Sequence, residues 1–465
     1  MQLSRSFFGG VLLLSLCASP SQAQTATVNW NNVDQVIDGF GAATGGRSLT
    51  SAQAAFFFSL GSGDLGLSLL RTDVPDDGSC SIISATCAGE VNNMQLAITN
   101  GARVWSSPWS PPASMKTNGS TICNTGTGTP SPSNPSGSLS SDSYQAYAAY
   151  LANYVKSLRN LYSIDLYALS VQNEPDVCPN YYDGAIWSAA NFHGFIRNNL
   201  GPTFVAEGLT NTLIMMPESS AYGTFASLAG TTMQDPLAAA YVGINAWHDY
   251  DDASSVINPY AAQNKLYWET EVSALPGVGP SLCGGCWDPS IEDALLWAQI
   301  VDNRMAVANA NAWNWWVVIG DKNNDNAALI GPDQVTVPKR AYMLGNYSKF
   351  VRPGFYRIDA THTPQSGVLV SAYKNPGSRS LVIVVINQNS SSASQTFTLN
   401  GTTASSMTPW VTSANFDLVQ QSDVSVSRGS FTYSLAGSSI TSFVGNTITS
   451  SVPPTPPTGL TAAVR

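Results

Sequence analysis

Short runs of β-branched and aromatic residues alternate with helix-like apolar spacing from about residue 38 to residue 345. This alternation is typical of repeated β–α units, whose strands form a parallel sheet. Eight strands are predicted, at Asp38–Ala42, Gly66–Val74, Arg103–Ser106, Leu166–Gln172, Thr212–Pro217, Val242–Ala246, Lys265–Thr270 and Ala312–Ile319. Eight such units predict an α/β fold, the (β/α)8 TIM barrel, whose active sites lie at the carboxyl ends of the strands.

Two of the predicted helices have the clearest patterns. Apolar side chains recur at helical spacing from Asp142 to Leu161, where Ser141 or Asp142 can cap the amino terminus. The same spacing runs from Ser290 to about Asn309. Both segments are therefore expected to pack one face against the barrel.

The pattern changes after Pro353 to alternating strands separated by Gly, Asn and Ser turns. This pattern predicts an all-β sandwich side domain over residues 351–448, following a catalytic barrel over residues 24–350. A strand over about residues 25–30 precedes the barrel and is expected to join the side domain. Residues 449–465 are interpreted as a Pro/Thr-rich linker and the start of a further module.

The amino terminus has the features of an export signal. Arg5 precedes the apolar run Phe7–Leu16, and the small-residue segment Ser21-Gln22-Ala23 follows. Residues 1–23 are therefore predicted to be a signal peptide, and the mature protein is predicted to be secreted. No other apolar stretch is long enough to span a bilayer.

Six cysteines follow the predicted signal peptide, an even number in a protein bound for an oxidising compartment. Local pairs Cys80–Cys87 and Cys283–Cys286 would leave Cys123 with Cys178, but other connectivities remain open. A zinc site is disfavoured because no second Cys-x-x-Cys or spaced His pair accompanies Cys283 and Cys286.

The charge is low and acidic, with 20 basic and 30 acidic residues and no basic cluster. Nucleic acids and anionic membranes bind through clustered Lys and Arg, so the sequence disfavours both as partners. Twelve Trp and eighteen Tyr suit a polysaccharide, which has apolar ring faces and many hydroxyl groups. A monomer without cofactor or metal is expected.

Carboxylates follow two of the predicted strands. Pro175 ends the strand pattern before it, which leaves Glu174 at the mouth of the barrel. Glu269 and Glu271 end another strand, and regular alternation predicts that they point to one face. Glycosidic bonds are commonly cleaved by two carboxyl groups, so these positions predict a glycoside hydrolase.

The ordered motifs resemble glycoside hydrolase family 30 over nearly the whole mature chain. They are Asp38-Gly-Phe-Gly-Ala42, Leu70-Arg-Thr-Asp73, Ser106-Ser-Pro-Trp-Ser-Pro-Pro112, Met115-Lys-Thr-Asn118, Asn173-Glu-Pro175, Trp247-His-Asp-Tyr250, Trp268-Glu-Thr-Glu271 and Trp313-Asn-Trp-Trp316. The resemblance implies a barrel with a β side domain and a retaining mechanism. It also implies that Glu174 is the acid/base and Glu271 the nucleophile; Glu269 is the alternative nucleophile, with Arg71 as its candidate partner.

Further substrate-binding candidates surround these carboxylates. Asn173 could donate to a sugar 2-hydroxyl, while Trp109 and Trp316 could form walls for pyranose rings. Trp313 and Trp315 would point away from Trp316, because strand side chains alternate. His248 and Tyr250 match the family's His and aromatic positions, with Tyr250 also able to bind the nucleophile. Arg71 is expected to support the carboxylates. The structural alternatives are core packing for the aromatic residues and turn formation for Asn173.

The xylanase-like branches of the family are favoured by the Ser107–Asn118 segment and the low charge. Family glucuronoxylanases have an Arg just after strand eight, whereas here Val317-Val-Ile-Gly-Asp321 follows Trp316, and Lys322 cannot replace a bidentate Arg. Xylan cleavage independent of glucuronate branches is therefore predicted. The alternatives are β-1,6-glucanase or β-1,6-galactanase activity and carbohydrate binding without catalysis.

Overall fold

The computed structural model describes residues 24–78, 85–125, 137–251, 253, 255–275, 277, 279–320 and 327–448. The predicted signal peptide, Cys80, Lys322 and the predicted linker with the following module lie outside the described residues. Along the described chain, every helix is too short or too polar to cross a bilayer.

Eight parallel strands close into a barrel. The first described strand, β1 (Thr25–Val36), precedes it. The barrel strands are β2 (Gly39–Ala43), β3 (Leu69–Asp73), β4 (Arg103–Ser107), β5 (Ala168–Ser170), β6 (Leu213–Ser219), β7 (Val242–His248), β8 (Leu266–Glu271) and β9 (Ala312–Ile319). Each strand pairs with the next, and β9 pairs with both β8 and β2. All eight predicted strands and the predicted barrel are confirmed.

Helices follow most of the strands. They are α1 (Ser51–Phe58), α2 (Ala85–Thr99), α3 (Tyr144–Tyr162), α4 (Ala189–Phe195), α5 (Gly201–Ala206), α6 (Tyr222–Gln234), α7 (Pro236–Ala239), α8 (Ile291–Asp302) and α9 (Lys339–Ser348). Short 3-10 turns span Ala113–Met115, Ser141–Ser143 and Ala261–Gln263, and π-helical segments span Ile196–Leu200 and Asn303–Val307.

The two helices predicted most clearly form as expected. The apolar face of α3 is buried, and so is that of α8. The Ser290 hydroxyl accepts a hydrogen bond from the Asp293 amide and caps α8, which continues through its π-helical segment to Val307. The start of α3 differs from the prediction: Ser141 and Asp142 lie in a 3-10 turn, and Ser143 precedes the helix without a side-chain cap.

The remaining strands form a separate all-β domain, apart from β10 (Ala328–Ile330), which pairs with β9. They are β11 (Tyr356–Ala360), β12 (Val368–Asn375), β13 (Ser380–Asn387), β14 (Ala393–Asn400), β15 (Ser406–Ser413), β16 (Val419–Gln420), β17 (Val424–Ser425), β18 (Ser430–Leu435) and β19 (Ser439–Asn446). The amino-terminal β1 pairs with β11 and β14 and lies in this sheet. The fold class predicted from the sequence is confirmed.

The barrel interior near the amino ends of its strands is filled by apolar side chains. We call this group the apolar layer: Leu69, Trp105, Ala168, Met215, Ile244, Ala246, Trp268 and Ala312. The Trp105 and Trp268 rings meet edge to face with their centroids 5.9 Å apart. The barrel is therefore a packed core at this end, and polar side chains occupy its other end.

Two disulfides agree with the predicted pairing. Cys123 bonds to Cys178, and Cys283 bonds to Cys286. The first joins the loop after β4 to the loop after β5, and both loops carry residues of the site described below. The predicted Cys80–Cys87 pair involves a residue outside the described chain.

Candidate active site

Glu174 follows β5 in a left-handed backbone conformation, with φ 44°. Such conformations cost a non-glycine residue about 1–3 kcal/mol and persist where the surroundings fix them. Two contacts fix this segment: the Glu174 amide donates to the Glu218 carbonyl at 3.0 Å, and the Asn173 amide donates to the Pro108 carbonyl at 2.9 Å. The loop after β4 and the end of β6 therefore hold the Asn-Glu pair at the barrel mouth.

Glu271 ends β8 beside a register irregularity. Trp247 of β7 pairs with Glu269, but the next residue, His248, pairs with Glu271, so β8 has one additional residue at Thr270. The regular alternation that predicted a common face for Glu269 and Glu271 is therefore interrupted. The two carboxylates consequently have different surroundings.

Glu269 is fully buried away from the cavity at the barrel mouth. One of its carboxylate oxygens accepts a hydrogen bond from the Asn314 amide at 2.9 Å. Burial and the nearby charge of Asp249 raise the pKa of Glu269 well above its ordinary value, although the Asn314 hydrogen bond opposes the rise. Arg71, the predicted partner of Glu269, pairs instead with Glu271.

Arg71 of β3 is fully buried and joins three of the site residues. Its Nη1 binds Oε2 of Glu271, its Nη2 donates to Oδ1 of Asn173 at 2.6 Å, and Nη2 lies 2.8 Å from Oε1 of Glu218. The guanidinium also lies over the Trp109 ring, 4.6 Å from its centroid. Arg71 thus supports the carboxylates, as expected, from below the cavity.

Glu218 is a site residue that was not predicted from the sequence. It lies near the end of β6 with φ 58°, is fully buried, and accepts a hydrogen bond from the Ser107 hydroxyl at 2.6 Å. Burial alone would raise its pKa, but Arg71, His248 and Ser107 together lower the pKa of Glu218 below its ordinary value. Glu218 is therefore a stable negative charge between the two buried cations.

His248, at the end of β7, is fully buried among three carboxylates. Its Nδ1 lies 3.2 Å from Oε1 of Glu174, and its Nε2 lies 3.6 Å from Glu218 and 3.8 Å from Glu271. Burial opposes its protonation, but these carboxylates raise the pKa of His248 to about 10. His248 is consequently a cation at neutral pH. We call Arg71, Glu174, Glu218, His248 and Glu271 the charged cluster.

Two tyrosines complete the carboxylate contacts. The Tyr250 hydroxyl donates to Oε1 of Glu271 at 2.9 Å, as predicted from the sequence. The Tyr182 hydroxyl donates to Oε2 of Glu174 at 3.1 Å and was not predicted. Burial and the adjacent carboxylates raise the pKa of both tyrosines, so each remains a hydrogen-bond donor.

A cavity of about 560 Å³ opens above the charged cluster. Among the residues lining it are all the predicted site residues except Arg71 and His248, namely Trp109, Asn173, Glu174, Tyr250, Glu271 and Trp316. The rings of Trp109 and Trp316 have their centroids 5.9 Å apart. Trp313 and Trp315 pack together in the core against Trp297, away from Trp316, as alternation predicts.

Metal binding is the alternative use of this constellation. Glu174, His248 and Glu271 each offer one ligand atom, and these atoms all lie within 4.8 Å of one another. Both ring nitrogens of His248 face carboxylates, however, and its raised pKa keeps both of them protonated. A doubly protonated imidazole has no lone pair for a metal, so the arrangement fits proton chemistry better than metal binding.

The family comparisons agree with this geometry. Residues 90–333 match the glycosyl hydrolase family 30 TIM-barrel domain, and residues 354–443 match the family 30 beta sandwich domain. The chain is 32% identical over 438 residues to "Glucuronoxylanase XynC" of Bacillus subtilis, covering 91% of this chain and 92% of that protein. It is 26% identical over 375 residues to "Endo-1,6-beta-D-glucanase" of Neurospora crassa, covering 73% and 68% of the two chains.

Solved structures give the same result. The family 30 subfamily 8 xylanase Xyn30A from Clostridium acetobutylicum superposes with a TM-score of 0.78 at 31% identity, covering 91% of this chain and 99% of that one. A family 30 endoxylanase from Clostridium papyrosolvens superposes with a TM-score of 0.75 at 31% identity, covering 91% and 100%. With both domains matched over most of their length, this chain belongs to glycoside hydrolase family 30.

Proposed function

We propose that this protein hydrolyses the β-linked backbone of xylan by double displacement. Glu174 is the general acid/base in this proposal, and Glu271 is the nucleophile. The observation that carries it is the spacing of these groups, since a carboxylate oxygen of each lies within 4.8 Å of the other. Retaining enzymes hold their carboxyl groups about 5–5.5 Å apart, whereas inverting enzymes need roughly 6.5–9.5 Å to admit a water molecule.

Glu271 and Glu174 together supply the groups that both steps of double displacement require. In the first step, Glu271 attacks the anomeric carbon while Glu174 protonates the departing glycosidic oxygen. In the second step, Glu174 takes a proton from water, which attacks the same carbon and releases Glu271. Glu271 must be charged at the start. Burial raises its pKa, and the charges of His248 and Arg71 oppose that rise.

Hydrogen bonds fix the orientation of both carboxyl groups. Tyr250 and Arg71 bind different oxygens of Glu271, while Tyr182 and His248 contact different oxygens of Glu174. Neither group can therefore rotate without losing a partner, which favours attack and proton transfer along fixed directions.

The sugar contacts in the proposal come from the cavity wall. The Asn173 carboxamide oxygen accepts from Arg71, so its NH2 group is the end available to donate to a sugar 2-hydroxyl. Such a contact strengthens in the transition state. Trp109 and Trp316 provide ring faces for pyranose units.

The choice of xylan is supported by the relatives named above, which include a glucuronoxylanase and two xylanases. Independence from glucuronate is supported by the sequence after Trp316, because Val317-Val-Ile-Gly320 offers no guanidinium to a branch carboxylate. The leader-like residues 1–23 and the two disulfides support secretion. A monomer that binds polysaccharide, without nucleic acid or membrane partners, remains our prediction.

The test is hydrolysis of xylan, β-1,6-glucan, β-1,6-galactan and mannan by the wild type. We expect cleavage of xylan with and without glucuronate branches at similar rates, and a first product that keeps the β-anomeric configuration in proton magnetic resonance spectra. Preferred cleavage of β-1,6-glucan would contradict the substrate. A first-formed α-anomer would contradict double displacement, and binding of xylan without turnover would indicate a non-catalytic carbohydrate-binding protein.

A further inference from the structure

The loop after β5 carries Tyr182, whose hydroxyl donates to Oε2 of Glu174 at 3.1 Å. The base of this loop is closed by the Trp187 amide, which donates to the Pro175 carbonyl at 3.0 Å. Tyr182 lies between these two residues, in a segment that forms neither a helix nor a strand. Its position therefore depends on contacts that the loop makes away from its base.

The loop after β4 supplies such contacts through its backbone. The Gly184 amide donates to the Thr121 carbonyl at 3.0 Å, and the Asn124 amide donates to the Pro179 carbonyl at 2.9 Å. Pro179 and Gly184 lie on either side of Tyr182 in the chain. The segment that carries the tyrosine is therefore fixed to the neighbouring loop on both sides.

Lys116 and the disulfide between Cys123 and Cys178 reinforce this pairing. The Lys116 side chain is buried, and its Nζ donates to the Thr121 carbonyl at 2.8 Å and to the Gly184 carbonyl at 2.6 Å. One ammonium group thus binds a residue of each loop. We call Lys116, Cys123 and Cys178 the loop clamp.

The charge of Lys116 strengthens the loop clamp. Burial lowers the pKa of Lys116 to about 8, and the charges of Asp183 and Asp76 oppose that decrease. Lys116 is consequently a cation at neutral pH, and an ammonium group makes stronger hydrogen bonds to carbonyl oxygens than a neutral donor does. A buried charge is costly without such partners, so the two loops must stay together around Lys116.

We propose that the loop clamp positions the acid/base. It holds Tyr182 in place, and Tyr182 holds the Glu174 carboxyl group in the orientation that protonates the departing oxygen. The described residues that line the cavity above the charged cluster do not include the loop clamp, so its members are positioning residues without substrate contact. The inference rests on the proposed function and deepens it, because it names distant residues on which the acid step depends.

The test compares phenyl β-xylobioside with dinitrophenyl β-xylobioside. Phenolate needs a proton from the acid as it departs, whereas dinitrophenolate is the anion of a much stronger acid and departs without one. We call kcat/KM on the dinitrophenyl substrate divided by kcat/KM on the phenyl substrate the leaving-group ratio. Tyr182→Phe and Lys116→Met should each raise this ratio about three- to tenfold, because a misplaced acid slows the phenyl substrate alone.

The two disulfides provide a matched pair of variants. Cys123→Ala/Cys178→Ala should raise the leaving-group ratio in the same direction as Lys116→Met, and it decides the proposal if Lys116→Met does not fold. Cys283→Ala/Cys286→Ala is the control, because it removes the disulfide of the loop after β8 and should leave the ratio at the wild-type value.

An unchanged leaving-group ratio in Tyr182→Phe, or in the loop clamp variants, would overturn the proposal. Equal losses on both substrates have this meaning, because they show that the residues bind substrate or only stabilise the fold. A change in the ratio of the control variant as large as that of Cys123→Ala/Cys178→Ala would also overturn it.

Glu174→Gln separates this proposal from the proposed function. It should raise the leaving-group ratio more than any loop clamp variant, and a wild-type ratio in Glu174→Gln would contradict its role as the acid. Hydrogen exchange then decides the loop clamp without turnover. The Asn124 and Gly184 amides should exchange about tenfold faster in Lys116→Met than in the wild type. Unchanged exchange would overturn the loop clamp even if both substrates are cleaved.

Discussion

The apolar layer and the charged cluster occupy two ends of one barrel and are built by the same strands. On β3, Leu69 belongs to the apolar layer and Arg71, two residues later, to the charged cluster. On β7, Ala246 and His248 repeat this arrangement. Strand alternation thus directs both types of side chain into the barrel. Their position along the strand determines whether they lie in the apolar layer or in the charged cluster.

The two ends differ in what holds them together. The apolar layer is stabilised by burial and close packing, which need no specific partner for each side chain. The charged cluster holds three carboxylates and two cations out of water, and each charge there is tolerated because of the others. Left-handed backbone at Glu174 and Glu218 adds strain. The apolar layer therefore stabilises the fold, whereas the charged cluster lowers the stability of the fold but holds the site residues in fixed positions.

The largest effect is expected at the charged cluster, where substitutions should lower activity without lowering stability. Glu271→Gln and Glu174→Gln should each lower kcat on xylan by about a thousandfold or more, since each removes a group that we propose acts on the reacting bonds. The melting temperature of Glu271→Gln should change little, because glutamine keeps the shape of the side chain and an amide oxygen that Arg71 or Tyr250 can still bind. Glu218→Gln is the isosteric control and should retain more activity, because Glu218 does not line the cavity.

The next largest effect is a loss of stability and is expected in the apolar layer. Trp268→Ala should lower the free energy of unfolding by about 3–5 kcal/mol, because it removes a fully buried ring and leaves a cavity. The KM for xylan should remain within about twofold of wild type under conditions where the variant is folded. Chemical denaturation and steady-state kinetics measure the two quantities. A large change in KM with unchanged stability would show that the two ends are not separable.

A smaller effect concerns the coupling between charges. Loss of the imidazolium in His248→Gln removes a charge that lowers the pKa of Glu271, so this pKa should rise. Because Glu271, as the proposed nucleophile, must be ionised to attack, the acid limb of the kcat/KM profile should move up by about one pH unit. A limb that stays in place or moves to lower pH would contradict the assignment of Glu271 as nucleophile.

The smallest effect is expected at Glu269, which lies between the two ends. Its raised pKa keeps it protonated, and glutamine imitates a protonated carboxyl group, so activity should change less than about threefold. An acid with a raised folded-state pKa loses stability as pH increases above its unfolded pKa. Glu269→Gln should match the wild type in acid and be more stable at neutral pH. Loss of activity comparable with Glu271→Gln would reassign the nucleophile.

Much of this arrangement was predictable because local rules determine it. The period of the apolar runs predicted all eight barrel strands, and Pro175 placed Glu174 at a strand end. Glu218 carried a related signal, since it follows Pro217 where β6 ends, but no neighbouring motif distinguished it from a surface acid. Tyr182 lies in a loop without any regular pattern, so nothing in the sequence linked it to Glu174.

The sequence by itself determined the barrel and the strand ends at which catalysis would take place, because strand period and chain breaks are local properties. The tertiary structure alone decided which carboxylates meet. A single additional residue at Thr270 separates Glu271 from Glu269, and Arg71 consequently pairs with the former. The tertiary structure also decided the charges of these carboxylates, because burial and the proximity of His248 and Arg71 shift their pKa values. These residues are far apart in the chain, so the sequence could not indicate that they lie close together.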